Sequence, residues 1–203
     1  MSGSRDTPVW CMVYDDLQYQ EEAHIFAEQQ KHVKSLVPYE MFVAHVEAGD
    51  NKQMMIHNLV TNVFKLKISG SRAPGTISAV SALEFIYDKY GYEVLDRTLR
   101  LSLSTWQGED LSLSSAILKA IAMMVSAYGD KLDDEIFRDR VGKYSAKAIC
   151  RNARDRRPGI YGYVETMLII YNGKSKKKLS IRKVIWNNGK KTGAPPPDYE
   201  TDG

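Results

Sequence analysis

The densest concentration of chemistry-bearing side chains is RNARDRRPGIYGY, which places Arg151, Arg154, Arg156 and Arg157 within seven residues. A guanidinium presents forked donors that match a phosphate, so this pattern points to phosphate recognition. On a helix Arg151, Arg154 and Arg157 lie close to one face, and Tyr161 and Tyr163 follow directly. Lys174, Lys176, Lys177, Lys178, Arg182 and Lys183 extend the basic run, with Trp186 behind them. Interleaved aromatics can stack on exposed bases. Cations that neutralise phosphates release counterions, so such binding weakens steeply with salt. The plainer reading is a solvated basic face.

Other residues offer less. GSRAPG, with Ser71 and Arg72, is a candidate anion site if its backbone N–H groups converge; a connecting loop explains the same residues. His24, Glu28 and His32 fall at helical spacing, but a metal site needs a further ligand, and a salt-bridged helix surface accounts for them equally well. Asp133, Asp134, Glu135 and Asp139 could hold Mg²⁺. An acidic first helical turn followed by cations also suits the helix dipole. No GxSxG, phosphate-binding Walker loop or HExxH is present. The expectation is therefore no catalytic residue, no metal and no cofactor.

The elements that must position these groups read as helices. Glu21 and Glu22 suit the first turn of a helix through Lys31, Pro38 opens a second that stops at Gly49, and Asp50 is placed to cap a third. KLKISGSRAPGT (65–76) reads as a loop with a short strand near Phe64–Ile68. Thr76 is placed to cap a helix through Tyr90, with Ile77, Val80, Leu83 and Tyr87 on one face. A helix reaching Trp106 comes next, then a turn at Gly108. Leu111–Tyr128 carries a wide apolar stripe that marks a central helix. Asp133–Val141 and Tyr144–Ala153 read as shorter helices, Tyr161–Tyr171 suits a helix or, by its aromatic and β-branched content, a strand, with helix favoured, and PVWCMVY (8–14) reads as a short N-terminal strand. The tail with Pro195, Pro196 and Pro197 lacks apolar periodicity and reads as disordered.

Composition bounds the function classes. The chain has 203 residues with 43% hydrophobic and 26% charged, an ordinary globular balance. Cys11 and Cys150 have no ligand spacing and read as reduced thiols. No run is long enough to span a membrane, so a cytoplasmic protein is expected. The formal charge of +3 hides an asymmetry: residues 1–150 hold 16 basic and 20 acidic side chains, whereas residues 151–191 hold 12 basic and 2 acidic.

Residues 11–48 carry a further pattern. Val13, Leu17, Glu21, Glu22, Ala23, Phe26, Gln30, Leu36, Phe42 and Ala44 resemble a stretch of the ParB/sulfiredoxin-like proteins of phages and mobile elements. The likeness continues through AGDNKQMMIHNLV, Thr76–Leu83 and Trp106, covering about residues 11–140. Such proteins carry a DGQHR or GERR segment holding the phosphate-binding or catalytic arginine, and neither string occurs here. The resemblance implies ParB-derived helical architecture without carrying over CTP hydrolysis or nuclease activity. It also places Gln30 and Lys34 where such proteins hold a polar and a basic residue near phosphates.

The expected fold is mainly α, a bundle of six to eight helices with a vestigial N-terminal strand. The expected division is an arm over 1–20, a helical ParB-like domain over 21–150, a basic module over 151–190 and a tail over 191–203. The expected function is non-enzymatic binding of nucleic acid, DNA or RNA. The alternatives are an anti-CRISPR-type inhibitor docking on a protein or ribonucleoprotein, and a nucleotidase or nuclease remnant.

Overall fold

A computed structural model of the chain describes residues 37–173 and 178–188, together with Gln18, Glu21 and Ile25. The chain divides at Leu36/Val37 into two compact units, and the second holds the helical bundle. In the first, the Gln18 N–H donates to the Glu21 carboxylate at 3.0 Å and the Glu21 N–H to the Gln18 carbonyl at 2.8 Å. That reciprocal pair is a helix start. The strand expected over 8–14, the tail over 191–203, and His24, Glu28, Gln30, His32, Lys34, Lys174, Lys176 and Lys177 lie outside the described residues.

The second unit contains nine α-helices among the described residues: α1 (Pro38–Glu47), α2 (Asn51–Asn58), α3 (Val80–Tyr90), α4 (Tyr92–Trp106), α5 (Ser115–Tyr128), α6 (Asp134–Val141), α7 (Ala146–Arg156), α8 (Ile160–Asn172) and α9 (Ile181–Asn188). The mainly α bundle expected from sequence is what forms. No helix among the described residues is long and apolar enough to cross a membrane.

The start and stop residues explain most boundaries. Pro38 opens α1, and Gly49 turns the chain with φ +82°, a conformation glycine adopts without Cβ strain. Asp50 precedes α2 as expected, but its carboxylate pairs with His45 at 2.5 Å rather than capping. A π-helical turn over Leu59–Val63 prolongs α2. Thr76 does not cap α3. It lies in a strand, β2 (Thr76–Ile77), paired in parallel with β1 (Lys67–Ile68). Its hydroxyl instead closes the intervening loop on Ala73, accepting from the N–H and donating to the carbonyl, both at 2.8 Å. Helix α5 begins at Ser115 rather than Leu111, because Leu111 takes the left-handed φ of +70°, which no helix interior tolerates.

Two apolar cores share α5. Phe42, Ile56, Leu59, Ile77, Leu83, Ile86, Leu95 and Leu99 pack with Leu118 and Ala122 on one side of it. Trp106, Phe137, Ile149, Val164, Met167 and Leu168 pack with Ile117, Ile121 and Met124 on the other. The boundary expected at residue 150/151 falls inside α7, whose Ile149, Cys150 and Ala153 enter the same core as α8. The basic segment is therefore built into the bundle and is not a separate module.

The α7–α8 junction is close. A Cβ on Gly162 would collide with the backbone carbonyls of Ala153 and Arg157. Helices α5 and α8 run in the same direction. At their far ends the Tyr171 hydroxyl accepts from the Asp133 N–H at 3.0 Å, and the Tyr128 hydroxyl donates to the Ser180 carbonyl at 2.6 Å.

Candidate nucleic-acid interface

The described basic residues do not gather as one surface. Arg151, Arg154, Arg156 and Arg157 are exposed where α7 meets α8. Lys178, Arg182 and Lys183 are also exposed, but at the other end of α8. There Asn172 holds the segment through Leu179, with its amide donating to the carbonyl at 2.9 Å and its oxygen accepting from the N–H at 2.8 Å. Thirteen residues of α8 separate the groups, about 20 Å of helix. Lys183 stands over the Tyr128 ring at 5.9 Å. Within α7 the spacing splits the arginines further. Lys147, Arg151 and Arg154 share one flank, and Arg156 falls about 200° round the helix from Arg154.

The end near α7 gains partners that the sequence did not point to. Arg157 stands over the Tyr161 ring at 5.3 Å. Tyr161 lies near Tyr90, and both pack against the same core. Burial first, and then the nearby Tyr161 phenol, push the Tyr90 hydroxyl up to about 12. Tyr90 meets Phe85 edge to face at 6.4 Å. Lys89 stands 5.2 Å from the Tyr90 ring and 5.5 Å from Phe85, and Lys119 stands 4.7 Å from Phe85. Phe85 is 40% exposed. The signal for it was present: Phe85 falls off the apolar face formed by Val80, Leu83 and Tyr87, with Lys89 one turn on. Lys119 carried no signal, since it interrupts an apolar stripe as any snorkelling lysine does.

Lys119 ties this group to α5, whose start lies next to Cys150. Lys119 is one turn beyond Ser115, and Ser114 precedes it next to Cys150. Burial pushes the Cys150 thiol up. The hydroxyl of Tyr163, the charge of Arg154, the hydroxyl of Ser114 and the charge of Arg72 pull it back in lesser measure. The Ser114 contact is too loose to satisfy its hydroxyl as a hydrogen bond. Among the described residues Arg72, Lys89, Lys119, Arg151, Arg154 and Arg157 have no carboxylate in ion-pair contact.

Of the anion candidates, Ser71 is turned to its own loop, where its N–H donates to the Ser69 hydroxyl at 3.2 Å. Arg72 lines a cavity beside that loop. The acidic cluster is occupied structurally. The Asp133 carboxylate caps α6, accepting from the N–H groups of Glu135 and Ile136 at 2.9 and 3.0 Å. Asp134 accepts from Arg97 at 2.8 Å, and Glu135 pairs with Arg138 at 3.8 Å. Three carboxylates turned to three partners do not converge on an ion. Cys150 is a free, buried thiol.

Neither the curated proteins nor the solved structures include a match to this chain. Residues 1–183 match the family model described as "Family of unknown function (DUF6551)".

Proposed function

We propose that this chain, which belongs to the DUF6551 family, is a non-enzymatic nucleic-acid-binding protein whose contact surface is the basic and aromatic side chains of α3, α5 and the α7–α8 junction. The observation that carries the reading is the company of the cations. Lys89, Lys119 and Arg157 come from three separate stretches of chain, meet no carboxylate among the described residues, and stand over Phe85, Tyr90 and Tyr161. Cations alone serve any acidic partner. Cations interleaved with rings serve a strand whose bases are available for stacking, so single strands are favoured over duplex. Origin in a ParB-like protein of a phage or mobile element is part of the same proposal, and it rests on the residues quoted for that likeness.

Fluorescence anisotropy with a labelled random 12-mer tests this. With four or five phosphates neutralised, affinity for the single strand falls roughly 50- to 130-fold between 50 and 200 mM salt. Arg151→Glu with Arg154→Glu flattens the salt slope. Phe85→Ala weakens binding by about 5-fold or more at unchanged slope. Affinity that ignores both salt and these substitutions overturns the reading.

A second reading, an inhibitor docked on a protein or ribonucleoprotein, is favoured by one observation. Met41, Met54 and Met55 are 47%, 41% and 43% exposed on α1 and α2, and exposed methionines suit adaptable protein contacts. Pull-down with and without nuclease treatment separates the two, because a protein partner that survives nuclease favours docking.

A further inference from the structure

We propose that the acidic segment 198–202 docks on the cations and rings of α3 and α5, where it is a tethered competitor of nucleic acid. The docking stands by itself; the competition rests on the nucleic-acid reading above.

The sequence supplies the complement. DYETD sets Asp198, Glu200 and Asp202 around Tyr199, and no basic residue follows Lys191. This segment lies outside the described residues. Its carboxylates carry the charge of phosphates, and its phenol ring offers the face of a base.

The bundle supplies cations that its own fold leaves over. Lys89 and Lys119 have no carboxylate in ion-pair contact among the described residues. They stand 5.5 and 4.7 Å from the Phe85 ring, which is 40% exposed. Carboxylates can meet the two ammonium groups while Tyr199 packs beside Phe85, as aromatic pairs do. Cations closer to the segment offer less. Lys183 stands over the Tyr128 ring at 5.9 Å, but Tyr128 is only 4% exposed and leaves Tyr199 no ring to pack against.

The chain is long enough. The Tyr128 hydroxyl donates to the Ser180 carbonyl, so α9 starts at the far end of α5, and the two helices pack together. Lys119 is nine residues before Tyr128, about 14 Å along α5. Helix α9 has eight residues, about 12 Å. Nine residues, 189–197, join Asn188 to Asp198 and span up to about 30 Å. Lys119 is therefore within reach even with α9 pointing away from it.

Exposed ion pairs contribute little one by one, so the segment as a free peptide would bind weakly. Tethering raises its effective concentration to the millimolar range. A ligand with many phosphates displaces it, and one with few does not.

Carbodiimide coupling of the full chain, read by peptide mass spectrometry, tests the docking, because the amide forms only between a carboxylate and an ammonium in contact. The expected product joins Asp198, Glu200 or Asp202 to Lys89 or Lys119 at low salt and fades at high salt. A segment coupled only to other lysines, or to none, overturns the inference. Anisotropy with the random 12-mer reads the consequence. The variant Asp198→Asn, Glu200→Gln, Asp202→Asn binds roughly threefold tighter than the parent at low salt. Tyr199→Ala, which removes no charge, gives part of the same gain. A gain confined to the charge variant, with the segment uncoupled, marks long-range repulsion and overturns the docking. Coupling that persists while the 12-mer is bound overturns the competition. Coupling to Lys89 or Lys119 without any 12-mer binding keeps the docking and removes the nucleic-acid reading. Salt-dependent 12-mer binding with an uncoupled segment does the reverse.

Discussion

Tyr90 and Tyr128 hold their protons beyond the ordinary tyrosine range, Tyr90 to about 12 and Tyr128 further still, in both cases chiefly because burial penalises the phenolate. The Tyr128 hydroxyl is also committed as a donor to the Ser180 carbonyl. Raised folded-state values mean that between pH 10 and about 12 the unfolded chain releases protons that the folded chain retains. The stability these groups contribute is therefore complete below the unfolded value of about 10 and is lost as pH rises through the folded one. Tm is expected to fall across that window, and Tyr90→Phe to fall less steeply than the parent. Parallel slopes in a thermal melt series would contradict the assignment of Tyr90. Arg97 and Arg140 show why charge alone does not locate a site. Arg97 donates to the Gly129 and Leu132 carbonyls, and Arg140 to those of Tyr171 and Asn172, so both cations serve the fold.

At the scale of elements, α6 is the clearest case of a segment whose chemistry and structure compete for the same residues. Asp133 satisfies two N–H groups that the helix start leaves open, so Asp133→Ala is expected to cost about 1 kcal/mol. That lowers Tm by roughly 2–4 °C for a chain of this size, with nucleic-acid affinity unchanged. A metal-dependent cleavage activity lost in this variant would restore the nuclease reading. Helix α5 was legible as central because its apolar stripe is too wide for one neighbour, and Leu118 and Ile117 duly face different cores. Its start was not legible. LSLS (111–114) is helix-compatible by pattern, and the left-handed Leu111 that breaks it follows from the packing of the 108–114 loop, not from residue type. The same packing makes the cavity that Arg72 lines.

For the whole molecule the consequence is indivisibility from α1 to α9. A chain ended at Cys150 cuts α7 short, loses α8 and α9 and uncovers Ile117, Ile121 and Met124, which are all fully buried. It is expected to lack a cooperative thermal transition and to bind a hydrophobic dye, as loosely packed states do. A sharp transition with parent-like helicity would instead support a self-sufficient domain ending at 150.

The sequence by itself determined the helical class, most of the helix ends and the excess of positive charge late in the chain. These depend on neighbours within a few residues: apolar spacing, glycine at a stop, proline at a start. Tertiary structure alone decided which charges keep company. Two parallel helices, α5 and α8, set Arg157 and Lys178 about 20 Å apart, while Lys119 reaches the Phe85 ring across 34 positions of sequence. Nearness across the chain is fixed by how the apolar faces of helices fit together, and no local pattern encodes that fit.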